Sequence, residues 1–312
     1  MSLRKTFAPV ALVLALCAAS IDAQTAAPAQ APAAQPPAAP APAAPPDFSK
    51  VEITTTKLAD NIYGLEGQGG RIGLLVGPDG VFMVESQFAP LTEKIVAAIR
   101  KVSDGRIRFL INSHFHPDHT GGNENIGKLG ATILGRPQVR ERLAAASTPA
   151  AGLPTVLYEG EMELHLNGEE VRLFALPMAH TDGDTGIYFT KANVLMTGDV
   201  FRSFGFPNID RASGGTLDGM LKAIETLIGM AGPQTKVVPG HGPVTDRNGL
   251  IAHRDMILAI RGRVAKMIQE GKTVEQIVAA KPTADFDERT GNVAATADRF
   301  VGQVYAELTA KK

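Results

Sequence analysis

The sequence predicts an α+β fold, either two packed sheets or one large mixed sheet with helices outside it. Three observations carry that prediction. Between residues 51 and 308, short apolar and β-branched runs alternate with stretches of helical periodicity. Gly-rich and Pro-Asp-Gly turns separate the early runs, at 67–70 and 77–80. The order of strands and helices in the first half then recurs in the second.

Residues 51–56, 62–65, 72–76 and 81–84 read as strands, each short and bounded by turn residues. Residues 90–99 read as a helix, because Leu91, Ile95, Val96 and Ile99 recur on one face. The strand 107–111 follows. Gly121-Gly122 leads into a helix over 123–129, then a strand over 132–134 and a helix over 137–145. In the second half, strands fit 161–165, 170–176, 185–189 and 193–197. An amphipathic helix over 217–228 and a strand over 236–238 come next, and helices over 250–270 and 293–308 close the chain.

The ends of the chain's first fifty residues differ from this pattern. Arg4 and Lys5 precede an apolar run, 8–19, that is too short to span a bilayer, and Ala23 offers a small residue at a cleavage point. Residues 1–23 therefore read as an export signal, which makes the expected location periplasmic, with no transmembrane segment in the mature chain. Cys17 is the only cysteine, and Leu16 before it is bulkier than a lipid-attachment site wants. Cleavage after Ala23 would leave no thiol, excluding disulfides and thiolate metal ligands. Residues 24–47, mostly alanine, proline and glutamine, read as an extended tether, and 48–312 as one large domain. A formal charge of -1, with no basic stretch interleaved with aromatics, argues against nucleic acid as a partner. The expected partner is a small molecule and the expected state a monomer.

Chemistry is concentrated after the strand 107–111. His114, His116, Asp118 and His119 fall within six residues there, although the whole chain has seven histidines. Neutral imidazole and carboxylate are the protein ligands that suit a borderline divalent ion such as zinc. His180, in Ala179-His180-Thr181-Asp182-Gly183-Asp184, and His241, in Gly240-His241-Gly242, also follow apolar runs and so lie at candidate strand ends. His165 and His253 sit inside a strand and a helix and read as structural.

Joined with Asp199 in Thr197-Gly198-Asp199, this set resembles the metallo-β-lactamase superfamily over essentially the whole body of the chain. The resemblance implies an αββα sandwich of two mixed sheets with outer helices and a binuclear zinc site at one edge. By that likeness His114, His116 and His180 hold the first ion, and Asp118, His119 and His241 the second, with Asp199 touching the second or bridging both. Two such ions sharing a water lower its pKa from about 16 towards about 7, giving a nucleophile at neutral pH. Asp118 is then the expected catalytic carboxylate, steering that nucleophile and passing a proton to the leaving group. Asp184 is expected to support a ligating histidine.

The substrate is less sharply marked. Broad-spectrum dizinc β-lactamases carry cysteine where this chain has Asp199, whereas thioesterases of the glyoxalase II kind and lactonases carry aspartate. Aspartate is the harder ligand and admits iron or manganese more readily. Arg202 and Asn208 stand near the positions where those β-lactamases grip a substrate carboxylate and carbonyl. The expectation is therefore a hydrolase opening a β-lactam or similar cyclic amide or ester with a carboxylate nearby. The alternatives are a glyoxalase II-like thioesterase or a lactonase, with phosphodiester cleavage behind them for want of a basic surface. Outside catalysis stands a metal-binding envelope module without turnover.

Overall fold

The computed structural model describes residues 47–310. The export signal lies outside the described residues, as does the tether apart from Asp47.

Two sheets form. The first has seven strands in sequence order: β1 (Thr54–Lys57), β2 (Ile62–Glu66), β3 (Ile72–Leu75), β4 (Val81–Val84), β5 (Ile107–Ile111), β6 (Thr132–Gly135) and β7 (Val156–Leu157). Pairing is antiparallel from β1 to β4 and parallel from β4 to β7. The second sheet contains β8 (Glu161–Leu166), β9 (Glu169–Ala175), β10 (Thr185–Phe189), β11 (Val194–Met196) and β12 (Lys236–Val238), ordered β12-β11-β10-β9-β8. Its pairs are antiparallel except β11 with β12. Both sheets are thus mixed, and the single-sheet alternative is excluded.

The helices are α1 (Thr92–Arg100), α2 (Pro117–Thr120), α3 (Asn123–Lys128), α4 (Pro137–Ala145), α5 (Leu217–Met230), α6 (Arg247–Gln269), α7 (Val274–Ala279) and α8 (Ala294–Thr309). Strand β4 shows why they lie outside. Its side chains alternate faces, as a pleated strand requires. Phe82 and Val84 enter the core between the sheets, with Val171, Ile187, Phe189 and Met196 of the second sheet. Val81 and Met83 face the other way, into a core closed by Leu91, Ile95 and Ile99 around α1 and by Ile126 of α3. On the far side, Leu195 and Val237 meet α5, α6 and α8 through Ile224, Leu227, Ile257 and Phe300. Apolar residues on both faces of a strand force cover on both sides, and an αββα sandwich is the outcome.

Several boundaries differ from the sequence reading. The first strand begins at Thr54, with a short 3-10 turn at Phe48–Lys50 before it. Helix α6 begins earlier than expected, because the Asp246 side chain accepts from the backbone N–H groups of Asn248 and Gly249. Strand β7 and helices α2 and α7 were not expected. Among the described residues no helix is long and apolar enough to cross a membrane.

Candidate metal centre

All the clustered residues follow strands that run the same way out of their sheet. His114, His116, Asp118 and His119 follow β5, with Pro117 opening α2 as a residue preset for a first helical turn. Asp199 follows β11 in the 3-10 turn Gly198–Val200, and His241 follows β12. Strand β9 is parallel to β11, because β10 is antiparallel to both, so His180 after β9 reaches the same rim.

His114 Nε2 lies 3.1 Å from His116 Nδ1, and His180 Nε2 lies 2.8 Å from that same nitrogen. Their outward nitrogens decide what this means. His116 Nε2 is 2.9 Å from Asp210 Oδ2, and His180 Nδ1 is 2.7 Å from the Asn208 carbonyl oxygen. Carboxylates and carbonyls only accept, so those outward nitrogens carry the protons and the inward ones present lone pairs. His114 Nδ1 is held by Ser113 Oγ at 3.0 Å. Burial, and then His119 and His180, keep His114 well below the ordinary histidine range, so its ring is neutral and has a lone pair to offer. Lone pairs facing one another at this separation fit a cation placed between them.

The second group carries carboxylates. His241 Nε2 lies 3.1 Å from Asp118 Oδ2 and 3.2 Å from Asp199 Oδ1, while His119 Nε2 lies 3.3 Å from that Asp199 oxygen. Burial opposes ionisation of Asp118, but His119 and His241 outweigh it and bring the carboxyl down to about 2. Asp199 is likewise buried, and the same two imidazoles hold it well below the carboxylate range. His119 Nε2 and Asp199 Oδ1 are buried yet make no hydrogen bond. Two anionic carboxylates and two imidazoles around one point suit a second divalent ion, which would replace the protons on the histidines.

The surrounding residues fit tightly against the cluster. Gly70 N donates to the Asp118 carbonyl at 2.9 Å, and a Cβ at Gly70 would lie 2.2 Å from His119 Cε1. Glu85, buried directly after β4 in a left-handed conformation (φ 64°), sits with Oε1 3.2 Å from His119 Nδ1 and accepts from Ser113 N. Asp184 accepts from the backbone N–H groups of His180 (2.7 Å) and Thr181 (2.9 Å), so it secures the His180 turn through the main chain and not through the ring. Asp182 is taken by Arg142.

Arg202 Nη1 lies 3.6 Å from Asp199 Oδ2, placing a guanidinium at the edge of the cluster. Asn208 has its carbonyl on His180 and its side-chain oxygen on Gln303 Nε2 of α8, 2.9 Å away. Gln303 also accepts from Ile209 N at 3.0 Å, so α8 grips the segment that supports His180 and His116. Phe201 and Phe206 are buried in the core, whereas Phe204 is exposed. His165 is an exposed strand residue outside the cluster, and His253 is buried in α6. Sequence reasoning missed Glu85, Asp210 and Gln303. Only Glu85, a carboxylate ending an apolar strand, carried a local signal.

A sandwich of this topology with a seven-residue histidine and aspartate cluster at one rim defines a class of metal-site proteins. The chain belongs to the metallo-beta-lactamase superfamily, whose family model matches residues 66–242. It is 30% identical over 152 residues to a hydroxyacylglutathione hydrolase from Rhodospirillum rubrum, covering 48% of this chain and 54% of that one. It is 23% identical over 177 residues to a metallo-beta-lactamase type 2 from Bacillus cereus, covering 56% and 67%. The chain spans about half the length of the curated hydroxyacylglutathione hydrolases it matches. Among solved structures, a metallo-beta-lactamase from Pontibacter korlensis superposes with a TM-score of 0.58 at 18% identity, over 66% of this chain and 99% of that one. The stereoselective inverting sec-alkylsulfatase Pisa1 from Pseudomonas sp. superposes with a TM-score of 0.68 at 15% identity, over 83% and 51%. At these identities the structural likeness concerns the fold.

Proposed function

We propose that this chain is an exported, zinc-dependent hydrolase that opens a β-lactam or a similar cyclic amide or ester bearing a carboxylate. The supporting observation is the meeting of the His114-His116-His180 group with a charged Asp118-His119-His241-Asp199 group, with Arg202 beside them. Two divalent ions bound there supply a water-derived nucleophile at neutral pH and offset negative charge developing on the substrate. Asp118 is ionised and partly exposed, so it orients the attacking water, takes its proton and returns it to the departing nitrogen or alkoxide. The Arg202 guanidinium binds the substrate carboxylate through paired N–H donors. Asn208 Nδ2, which makes no hydrogen bond among the described residues, donates to the substrate carbonyl. Asp199, a hard ligand, leaves the second position open to iron or manganese as well as zinc.

Zinc-loaded protein should hydrolyse a chromogenic cephalosporin or a lactone, and Asp118→Asn should slow turnover about 10²–10⁴-fold. No turnover of either substrate overturns this reading. A thioesterase reading is favoured by one observation, the 30% identity to a hydroxyacylglutathione hydrolase. Cleavage of an acylglutathione thioester with no action on cephalosporin or lactone would establish it instead.

A further inference from the structure

Behind the segment that follows Asp199 lies a cavity of about 510 Å³ that the metal centre does not use. Arg202, His253 and Arg289 line it together with the apolar Phe201, Val244 and Met256. No aspartate or glutamate lines it among the described residues. His253 is 2% exposed, its ring stands edge-on to Phe201 with centroids 5.0 Å apart, and its Nε2 is buried without a hydrogen bond. Arg202 Nε is also buried without one. Arg289 Nη1 donates to the Ala252 carbonyl at 2.8 Å, which fixes the guanidinium over α6, yet no carboxylate pairs with it among the described residues. Asp255, the nearest acid along α6, is engaged by Arg254 at 2.8 Å.

Buried donors are ordinarily satisfied, and each one left without a partner costs about 1–3 kcal/mol. One buried donor without a partner, Arg202 Nε, a buried His253 nitrogen also without one, and the exposed Arg289 guanidinium border a cavity that no acid lines, which suits an acceptor with negative charge. The same lining includes the apolar Phe201, Val244 and Met256, which a hydrated inorganic anion would not exploit and a hydrocarbon stem would. We propose that this cavity binds a free aliphatic carboxylate, its head between Arg202, His253 and Arg289 and its stem along Phe201, Val244 and Met256. Because Arg202 borders both the cavity and Asp199, the bound acid sits against the metal centre without occupying it. The proposal does not require the substrate reading given above.

The test uses full-length, zinc-loaded protein with ¹⁵N-labelled histidines, the His253 signals being assigned by their loss in His253→Gln. Sodium butyrate should shift the His253 signals saturably, while sodium phosphate and sodium chloride at matched ionic strength should not. Arg289→Gln should raise the butyrate Kd about tenfold or more, as loss of a charge-assisted hydrogen bond would. Ala252→Leu, which fills the cavity while keeping the Arg289 anchor on the backbone, should do the same. The proposal is overturned by the absence of a saturable His253 shift, by equal saturation with chloride or phosphate, or by unchanged affinity in Ala252→Leu. Movement of only the His114, His116 and His180 signals would place butyrate at the metal centre and overturn it too. A saturable His253 shift in a protein with no hydrolytic turnover would support this site while removing the proposed activity.

Discussion

Acidification should weaken the folded chain through His253. Burial, with Arg289 and Arg202 adding repulsion, brings this imidazole from the ordinary 6.5 down to about 3. Between those two values the unfolded chain binds a proton at this position and the folded chain does not, so stability falls as pH falls. Above 6.5 neither state binds one, and the contribution is flat. Each pH unit crossed costs about 1.4 kcal/mol, and the window as a whole on the order of 5 kcal/mol. Against a total stability of about 5–15 kcal/mol, that loss is large enough to measure. Urea unfolding of metal-stripped wild type and His253→Leu at pH 7, 6, 5 and 4 isolates it, since leucine keeps an apolar side chain in the site and removes the titration. The wild-type stability should drop more steeply, by about 1.4 kcal/mol per pH unit below 6.5. Parallel lines for the two proteins would refute the assignment of a buried, neutral His253.

Three further outcomes follow from contacts around the cluster. Asp210→Ala removes the acceptor on His116 Nε2, 2.9 Å away, and should lower zinc affinity about 10–100-fold in a chelator competition, while an unchanged affinity would show that the Asp210 contact does not orient the ligand. Gln303→Ala strands the Ile209 N–H and the Asn208 side-chain oxygen, and urea unfolding should register a loss of about 1–3 kcal/mol; a change within error would mean that water replaces the α8 grip. Gly70→Ala drives a methyl into the His119 ring, so metal analysis should find one zinc per chain in place of two, and full stoichiometry would show that the loop gives way instead.

What the sequence made legible was whatever has a local signature. Short, largely apolar runs bounded by turn residues marked Val81–Val84 and Ile107–Ile111 to the residue, because strands that are covered on both sides need such runs and little else fits them. Helix α7 was readable and passed over. Thr273 and Gln276 form a capping box, with Thr273 accepting from Gln276 N and Gln276 reaching back to the Thr273 N–H, which is the S/T-x-x-Q pattern itself. Strand β7 offered nothing to read, being two exposed residues on a sheet edge. At the metal centre the inward-facing residues were all legible, since three imidazoles and a carboxylate within six residues are improbable without shared chemistry. Of their supports, Asp184 was legible from its place beside His180, whereas the groups that hold the rings were not. Asp210 stands 94 residues from His116, and the Asn208 carbonyl that receives the His180 proton is a backbone atom with no side-chain identity to detect. Yet those supports determine which nitrogen of each ring keeps its proton, and so whether the inward atoms are donors or lone pairs. The composition of a ligand set can therefore be read from a sequence, whereas its protonation state belongs to the fold.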